Sequence, residues 1–379
     1  MKKLVGKRIL MLLGNNPFPQ DVRVYPEAIA LAEAGYHVSV IAQRGDAQPY
    51  HDVVEKVNVW RYPAPPDSSS FISYIFEFGY SLIAAFILSL VIFTREGFDV
   101  IHAHNPPDTY VLVALFYKLF GKQFVFDHHD LSPDVYQARS GGNGNKLVYK
   151  TLLWFEKLTC KVADHIIATN ESYKRIEIAR GNLQEDKITV VRNGPNLERM
   201  KIVEPIQKYR DMNKKILGYV GLMGIQDGLD YLLRSLAHLR YDLERDDFYC
   251  ILIGGGGELE SLKKLAGKLE LESHVEFVGF QRGDDLNRHL STADICLDPD
   301  PANQFNDHST MIKMAEYMAF AKPIVAFDLT EHRYTAESAA IYIADNDEMA
   351  FAKAIAKLMD DADLCATMGA FGRQRVENV

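Results

Sequence analysis

The sequence predicts an α/β protein of two doubly wound, Rossmann-like domains, and three observations carry that prediction. Twelve short apolar runs recur, each followed by a glycine or polar turn and then a stretch with helical spacing. Such alternation marks βα units that feed a parallel sheet covered by helices on both faces. The series breaks once, at a polar stretch containing Pro195 and Pro205, and then restarts. The length, 379 residues, leaves room for two cores. The domains are expected at 1–195 and 213–379, with a linker near 196–212.

In the first set the strands are expected at 8–13, 37–42, 100–103, 124–127, 165–169 and 188–191. The second set is 215–221, 250–254, 275–279, 294–298, 324–327 and 340–344. The N-terminal MKKLVGKRILMLLG reads as a first strand, because Gly6, Lys7 and Arg8 interrupt its apolar run too early for a signal peptide. Residues 71–93 approach the length of a membrane span, but Glu77 leaves only about 16 uncharged positions. A span, a peripheral membrane-touching helix and a helix buried between the domains are the readings, with the buried helix favoured. The run GGNGN at 141–145 is expected to be a mobile loop.

Composition narrows the function classes. With 47% hydrophobic and 25% charged residues, a net charge of −9 and a pI near 5.8, the chain is globular and acidic. It has no long basic block, which argues against nucleic acid and favours small molecules or carbohydrates. Cys160, Cys250, Cys296 and Cys365 are scattered without CxxC or metal-ligand spacing. A reducing, cytoplasmic setting without disulfides or a metal cofactor is expected.

In doubly wound sheets, ligands bind beyond the carboxyl ends of the strands, and two such rims facing each other would enclose a cleft. Residues 306–328 join a helix to a buried strand at such a rim. Ser309 and Thr310 are N-cap types, so a helix is expected to begin near His308, with Lys313 and Glu316 on one face. A helix N-terminus attracts an anionic phosphate, and a carboxylate further along can bind hydroxyls of the same ligand. The plain alternative is an amphipathic helix with a surface Lys/Glu pair.

Other rims are less specific. Gly14 begins a turn that runs through Asp21 and Arg23 to the helix carrying Glu27, and it reads either as a binding floor or as a proline-rich loop. IHAHN (101–105, with His104 and Asn105) and DHHD (127–130, with His129 and Asp130) bring four histidines to adjacent strand ends. They suit hydrogen bonding to sugar hydroxyls better than metal binding, with buried imidazoles as the alternative. Turns at Gly221 and Gly224, and at Gly254 and Gly255, let backbone amides approach a phosphate, but neither is a GxGxxG fingerprint.

Several blocks in this order resemble the family 4 glycosyltransferases: DVRVYPEA with LAEAGYHVSV (21–40), FDVIHAH (98–104), ADHIIATN (163–170), VVRNG (190–194), VEFVGF (275–280) and EYMAFAKPIVA (316–326). The resemblance implies the GT-B fold, a retaining transfer from a nucleotide sugar (UDP by default) and no metal. Glu316 matches the second of the family's paired glutamates and implies a hold on the ribose, whereas the first falls on His308. Where many members carry an Arg and a Lys for the diphosphate, this chain has Leu222 and Asp227.

Lys313, aided by the helix start at Ser309 and Thr310 and by Arg192 or Arg282, is the expected replacement. Gly14, Gly221, Gly224, Gly254, Gly255, Arg192, Asn193 and His308 complete the donor side. Asp21, Arg23, His104, Asn105 and Asp130 form the acceptor side, and His129 is expected to orient a substrate. The leaving phosphate would take the acceptor's proton; an inverting route would need Asp21 or His129 as a base. A glycan or lipid-linked acceptor from surface-polysaccharide synthesis is implied, with peripheral membrane contact through 71–93. A nucleotide-sugar 2-epimerase and a noncatalytic nucleotide-sugar-binding protein are the alternatives. Relatives usually continue past ArgValGluAsnVal (375–379) into a helix that crosses back, so a shortened C-terminus is also expected.

Overall fold

The structure, a computed structural model, describes residues 6–65, 71–140 and 142–378. The chain divides into two compact units, Met1–Arg192 and Asn193–Val379.

In the first unit the strands are β1 (Arg8–Pro17), β2 (His37–Gln43), β3 (His51–Val54), β4 (Val57–Tyr62), β5 (Val100–His104), β6 (Gln123–His128), β7 (His165–Ala168) and β8 (Ile188–Val190). They pair in the order β3-β4-β2-β1-β5-β6-β7-β8, parallel except for the β3/β4 hairpin. All six expected runs are strands. The hairpin was missed because its two-residue turn, Glu55 and Lys56 at φ 47° and 74°, lacks the Gly or Asn that normally marks such a turn.

Alternation along the strands builds two cores. Leu10 and Leu12 pack into one with Ile101, Phe124 and Phe126, while Ile9, Met11 and Leu13 pack into the other with Val38 and Val40. The helix Phe71–Arg95 lies in the first of these cores, burying Ser81, Ala85, Ser89 and Ile92 at helical spacing. Its other side presents Ile83, 62% exposed, and Ile87 to solvent. The expectation of a fully buried helix is therefore corrected: this one is half-seated on the first unit. The loop expected to be mobile is also tied down where it is described. Asn145 donates its N–H to the Tyr136 hydroxyl and caps the helix Lys146–Val162 by accepting from Leu147 N–H; Gly141 lies outside the described residues.

The second unit holds β9 (Lys215–Leu222), β10 (Phe248–Gly255), β11 (Val275–Gly279), β12 (Ile295–Asp298), β13 (Ile324–Phe327) and β14 (Ala340–Ile343). The order is β11-β10-β9-β12-β13-β14, all parallel. Leu217 and Tyr219 face one core, and Ile216 faces another. Residues 196–212 are counted within this unit instead of forming a free linker: Val203 and Ile206 donate backbone N–H groups to Ser291 Oγ and Thr292 Oγ1.

The strand order reverses between β1 and β5 in one sheet and between β9 and β12 in the other. These reversals are the places where a doubly wound sheet opens to a ligand.

Candidate functional site: two topological switch points

At the second unit's switch point the expected single helix is two. A short helix, Gln304–His308, is capped by Asn303 and ends at Ser309; the helix that carries Lys313 and Glu316 runs Ile312–Ala319 and starts from Met311 without a side-chain cap. Ser309 Oγ donates to Phe305 O, and Thr310 Oγ1 donates to Glu331 Oε2, so neither caps the second helix. The sequence signal misled because two good N-cap residues also suit the exit of a preceding turn.

Lys313 is 8% exposed, and its Nζ lies 3.1 Å from Asp298 Oδ1, 2.8 Å from Asp300 Oδ2 and 4.9 Å above the Tyr219 ring. His332 Nε2 stands 3.4 Å from Asp298 Oδ2 while its Nδ1 is 3.0 Å from Phe327 O. Burial disfavours charge on all of them. It pushes Asp300 well up, and the charge on Asp298 reinforces the rise. Asp298 is held low against burial by Lys313 and His332, and Lys313 is held protonated against burial by the two aspartates. The cluster is thus one buried ion pair with a protonated neighbour. The role expected of Lys313, direct neutralisation of a diphosphate, is corrected accordingly: its ammonium is already enclosed and paired.

Glu316 sits one turn on and has a different character. Its carboxylate has no hydrogen-bond or ion-pair partner among the described residues. Loss of solvent around it pushes its pKa up to about 7, against the pull of the Lys313 ammonium. A half-buried carboxylate without a partner is a group built to accept hydroxyls from something else.

The glycine turns divide in the same way. Gly254 (φ 135°) lies against Gly221, where a Cβ would meet Gly221 O at 1.9 Å, so these two glycines serve the close approach of β9 and β10. Gly224 donates its N–H to Asp227 Oδ2, which closes that turn. Gly255 and Gly257 face open space. His308 is half-buried, and Arg192 and Asn193 mark the end of the first unit and the start of the second.

At the first unit's switch point most of the expected acceptor-side residues are structural. Gly14 is packed under Pro107 and the Tyr110 hydroxyl, which fill the space a Cβ would take. Asp21 accepts N–H groups from Arg23 and Val24 and the side-chain amide of Asn16. Burial works against its charge, but Arg23 and these hydrogen bonds hold the carboxyl below its usual range. Asn105 staples the loop, accepting from the N–H groups of His129 and Asp130 and donating to Asp108 Oδ1. The His129 ring is buried against Asp127 Oδ1 at 3.1 Å, so it does not present itself to a substrate as expected. Arg23 and Asp130, 4.0 Å apart with Asp130 38% exposed, keep accessible polar groups.

Beneath that loop Asp127 gathers imidazoles. Its Oδ2 is 3.4 Å from His102 Nε2 and 3.2 Å from His104 Nδ1, and Glu27 Oε2 is 3.7 Å from His104 Nδ1. Burial, then the charge of Asp127, pushes Glu27 up to about 10; burial, then His102, drives His104 down to about 3. A third cluster was not foreseen in the sequence. His128 Nδ1 lies 2.8 Å from Glu177 Oε1, with Glu156 and Arg180 beside it. Glu177 sits in a helix without a clear apolar stripe, so only the DHHD block pointed there.

A six-stranded parallel sheet and an eight-stranded sheet parallel but for its β3/β4 edge, each with polar groups gathered at its reversal, define a two-domain enzyme of the GT-B type. The chain belongs to the group 1 glycosyltransferases. The family model "Glycosyl transferases group 1" matches residues 202–375, and "Glycosyl transferase 4-like domain" matches residues 21–194. A putative glycosyltransferase, EpsD, of Bacillus subtilis is 26% identical over 90% of this chain and 85% of its own length. The capsular polysaccharide biosynthesis glycosyltransferase CapM of Staphylococcus aureus is 25% identical over 61% of each chain. Among solved structures, Anabaena HepE in complex with UDP-glucose aligns with a TM-score of 0.72 and 19% identity, covering 98% of this chain and 95% of that one.

Proposed function

We propose that the protein transfers a sugar, with retention, from a UDP-sugar held by its second unit to a glycan or lipid-linked acceptor of surface-polysaccharide assembly. The observation that carries this reading is the partnerless carboxylate of Glu316 at the β9/β12 switch point. It accepts ribose hydroxyls, while the backbone N–H groups at the Ile312 end of its helix and at Gly255 and Gly257, which face open space, meet the diphosphate. Lys313 acts through Glu316 as a positioning residue, lowering the cost of its charge.

Donors aimed at the departing diphosphate are typically worth about 10²–10³-fold each, and the leaving phosphate itself receives the acceptor's proton. Retention is supported by the state of the two candidate bases. Asp21 is committed to three hydrogen bonds with a depressed pKa, and His129 is buried against Asp127.

The UDP preference draws on the UDP-glucose complex of the HepE relative, and the polysaccharide setting on the name of CapM. A lipid-linked acceptor is favoured by an apolar face on the first unit. Ile83 and Ile87 of the helix Phe71–Arg95 are exposed, as are Leu112 and Leu115 of the helix Val111–Lys118 and Leu119 (82% exposed) at its end, and the two helices meet through the Phe86–Phe116 edge contact at 5.1 Å.

A melting-temperature panel with UDP, GDP and ADP compounds tests the donor. Saturation at about 100 times Kd should add roughly 2.7 kcal/mol, and no response to any of them refutes the reading. NMR of the product's anomeric centre then separates retention from inversion, and an epimerised free sugar released without acceptor would mark an epimerase.

A further inference from the structure

Four side chains at the first unit's switch point aim unpartnered atoms at one point. Glu27 Oε2, His102 Nε2, His104 Nδ1 and Asp127 Oδ2 are buried atoms without a hydrogen bond. They come from three elements: β5 supplies both histidines on one face, two residues apart; β6 supplies Asp127 in register opposite His104; and the helix Val24–Glu33 supplies Glu27. Four such buried atoms are expensive to leave without a counterpart. Among the described residues no Lys or Arg ion pair reaches Glu27 or Asp127; Arg23, the nearby guanidinium, is directed to Asp130.

The spacing fits a cation. The four atoms lie within 4.8 Å of one another, and the separations His104–Asp127, His102–Asp127 and His104–Glu27 are 3.2, 3.4 and 3.7 Å. Ligands about 2.0–2.1 Å from a tetrahedral zinc stand about 3.3–3.4 Å from each other. The second oxygen of Asp127 faces His129 Nε2 at 3.1 Å, the kind of outer contact that fixes a ligating carboxylate. Glu27, with 23% of its side chain exposed, leaves an entry path.

We propose that Glu27, His102, His104 and Asp127 bind one divalent transition-metal cation, of zinc's size and coordination preference, as a closed structural site inside the first unit. The ion takes no part in transfer. It fixes Asp127, and through Asp127 and His129 it holds the loop of Asn105 and Asp130 in place.

The full chain, stripped of metal and dialysed, is titrated with Zn²⁺ against a chromogenic chelator, and its Co²⁺ spectrum is recorded. One equivalent per chain and the intense visible bands of tetrahedral Co²⁺ are expected. Glu27→Gln and His104→Gln should each weaken binding at least tenfold, and His165→Ala, on β7 and hydrogen-bonded to Thr189 of β8, should leave it unchanged. Each variant should melt with the metal-free wild type in the absence of metal. Should His104→Gln fail to fold, the near-isosteric Glu27→Gln carries the test alone. No equivalent bound, an octahedral Co²⁺ spectrum, or undiminished binding by Glu27→Gln would overturn the proposal, the last because the ion would then be held without one of its four assigned ligands.

Discussion

The two switch points gather the same chemistry and balance it differently. In the second unit two carboxylates, Asp298 and Asp300, hold an ammonium supplied by the chain, Lys313, and the imidazole of His332 stands against the far oxygen of Asp298. In the first unit Glu27 and Asp127 meet three imidazoles, those of His102, His104 and His129, and among the described residues no ammonium or guanidinium ion pair. The β6 histidines extend the contrast. His129 is turned to Asp127, whereas its neighbour His128 is itself the cation of a separate cluster with Glu177 and Glu156. Buried carboxylates are tolerated where a positive charge is built in beside them, and where none is built in a ligand has to supply it.

The largest effect should come from removing the built-in cation. Lys313→Ala is expected to destabilise the protein by about 3–5 kcal/mol, since it strands a buried carboxylate. Adding Asp298→Asn should return at least about 1 kcal/mol. Denaturant unfolding of the two variants checks this, and near-wild-type stability of Lys313→Ala would dissolve the contrast between the switch points.

Glu316→Gln comes next. It should remove most of the roughly 2.7 kcal/mol of nucleotide stabilisation available at about 100 times Kd. It should also make the unliganded protein more stable above neutrality. The folded pKa of Glu316, about 7, exceeds its ordinary 4.5, so the cost of ionising it grows between those values and persists above them. The gain at pH 8 is expected to be about 1–2 kcal/mol, discounted for the partly open carboxylate. Thermal melts at pH 5 and pH 8, with and without UDP, read both.

The His128 cluster tests a cation made by protonation. Burial alone would lower the pKa of His128, but the hydrogen bond its Nδ1–H donates to Glu177 and the nearby carboxylates push it up to about 9. A raised folded pKa gives stability that is fully present below the unfolded value near 6.5 and lost as pH rises through about 9. The expected loss is on the order of 1–3 kcal/mol, absent in His128→Gln. A flat stability profile from pH 6 to 9.5 would contradict it.

The smallest effect is local. Asp21→Ala should cost about 1 kcal/mol through the lost cap on Val24 N–H, without changing the anomeric outcome. Inversion, or complete loss of chemistry with donor binding intact, would recast Asp21 as a base.

The contrast also separates what the sequence could disclose from what it could not. Twelve of the strands were legible because each is a short apolar run bounded by turn residues, whereas the β3/β4 hairpin was not; the family blocks placed Glu316 at its switch point. The histidines of 101–105 and 127–130 were visible as a group, but their partners were not. Glu27 arrives from a helix seventy-five positions before His102, and only the register of β5 against β6 sets Asp127 beside His104. The fate of Lys313 was hidden for the same reason. Spacing places it on the face of Glu316, but only β12 and the loop after it reveal that two aspartates claim its charge. The helix start was misjudged because Ser309 and Thr310 have capping chemistry yet spend it on Phe305 and Glu331.

Calorimetric titration of UDP-glucose into the wild type and Glu316→Gln addresses the donor site most directly. Saturable binding by the wild type, weakened at least tenfold in the variant, is what a ribose-holding carboxylate requires. Equal affinity in both proteins, or no binding by either, would contradict the account.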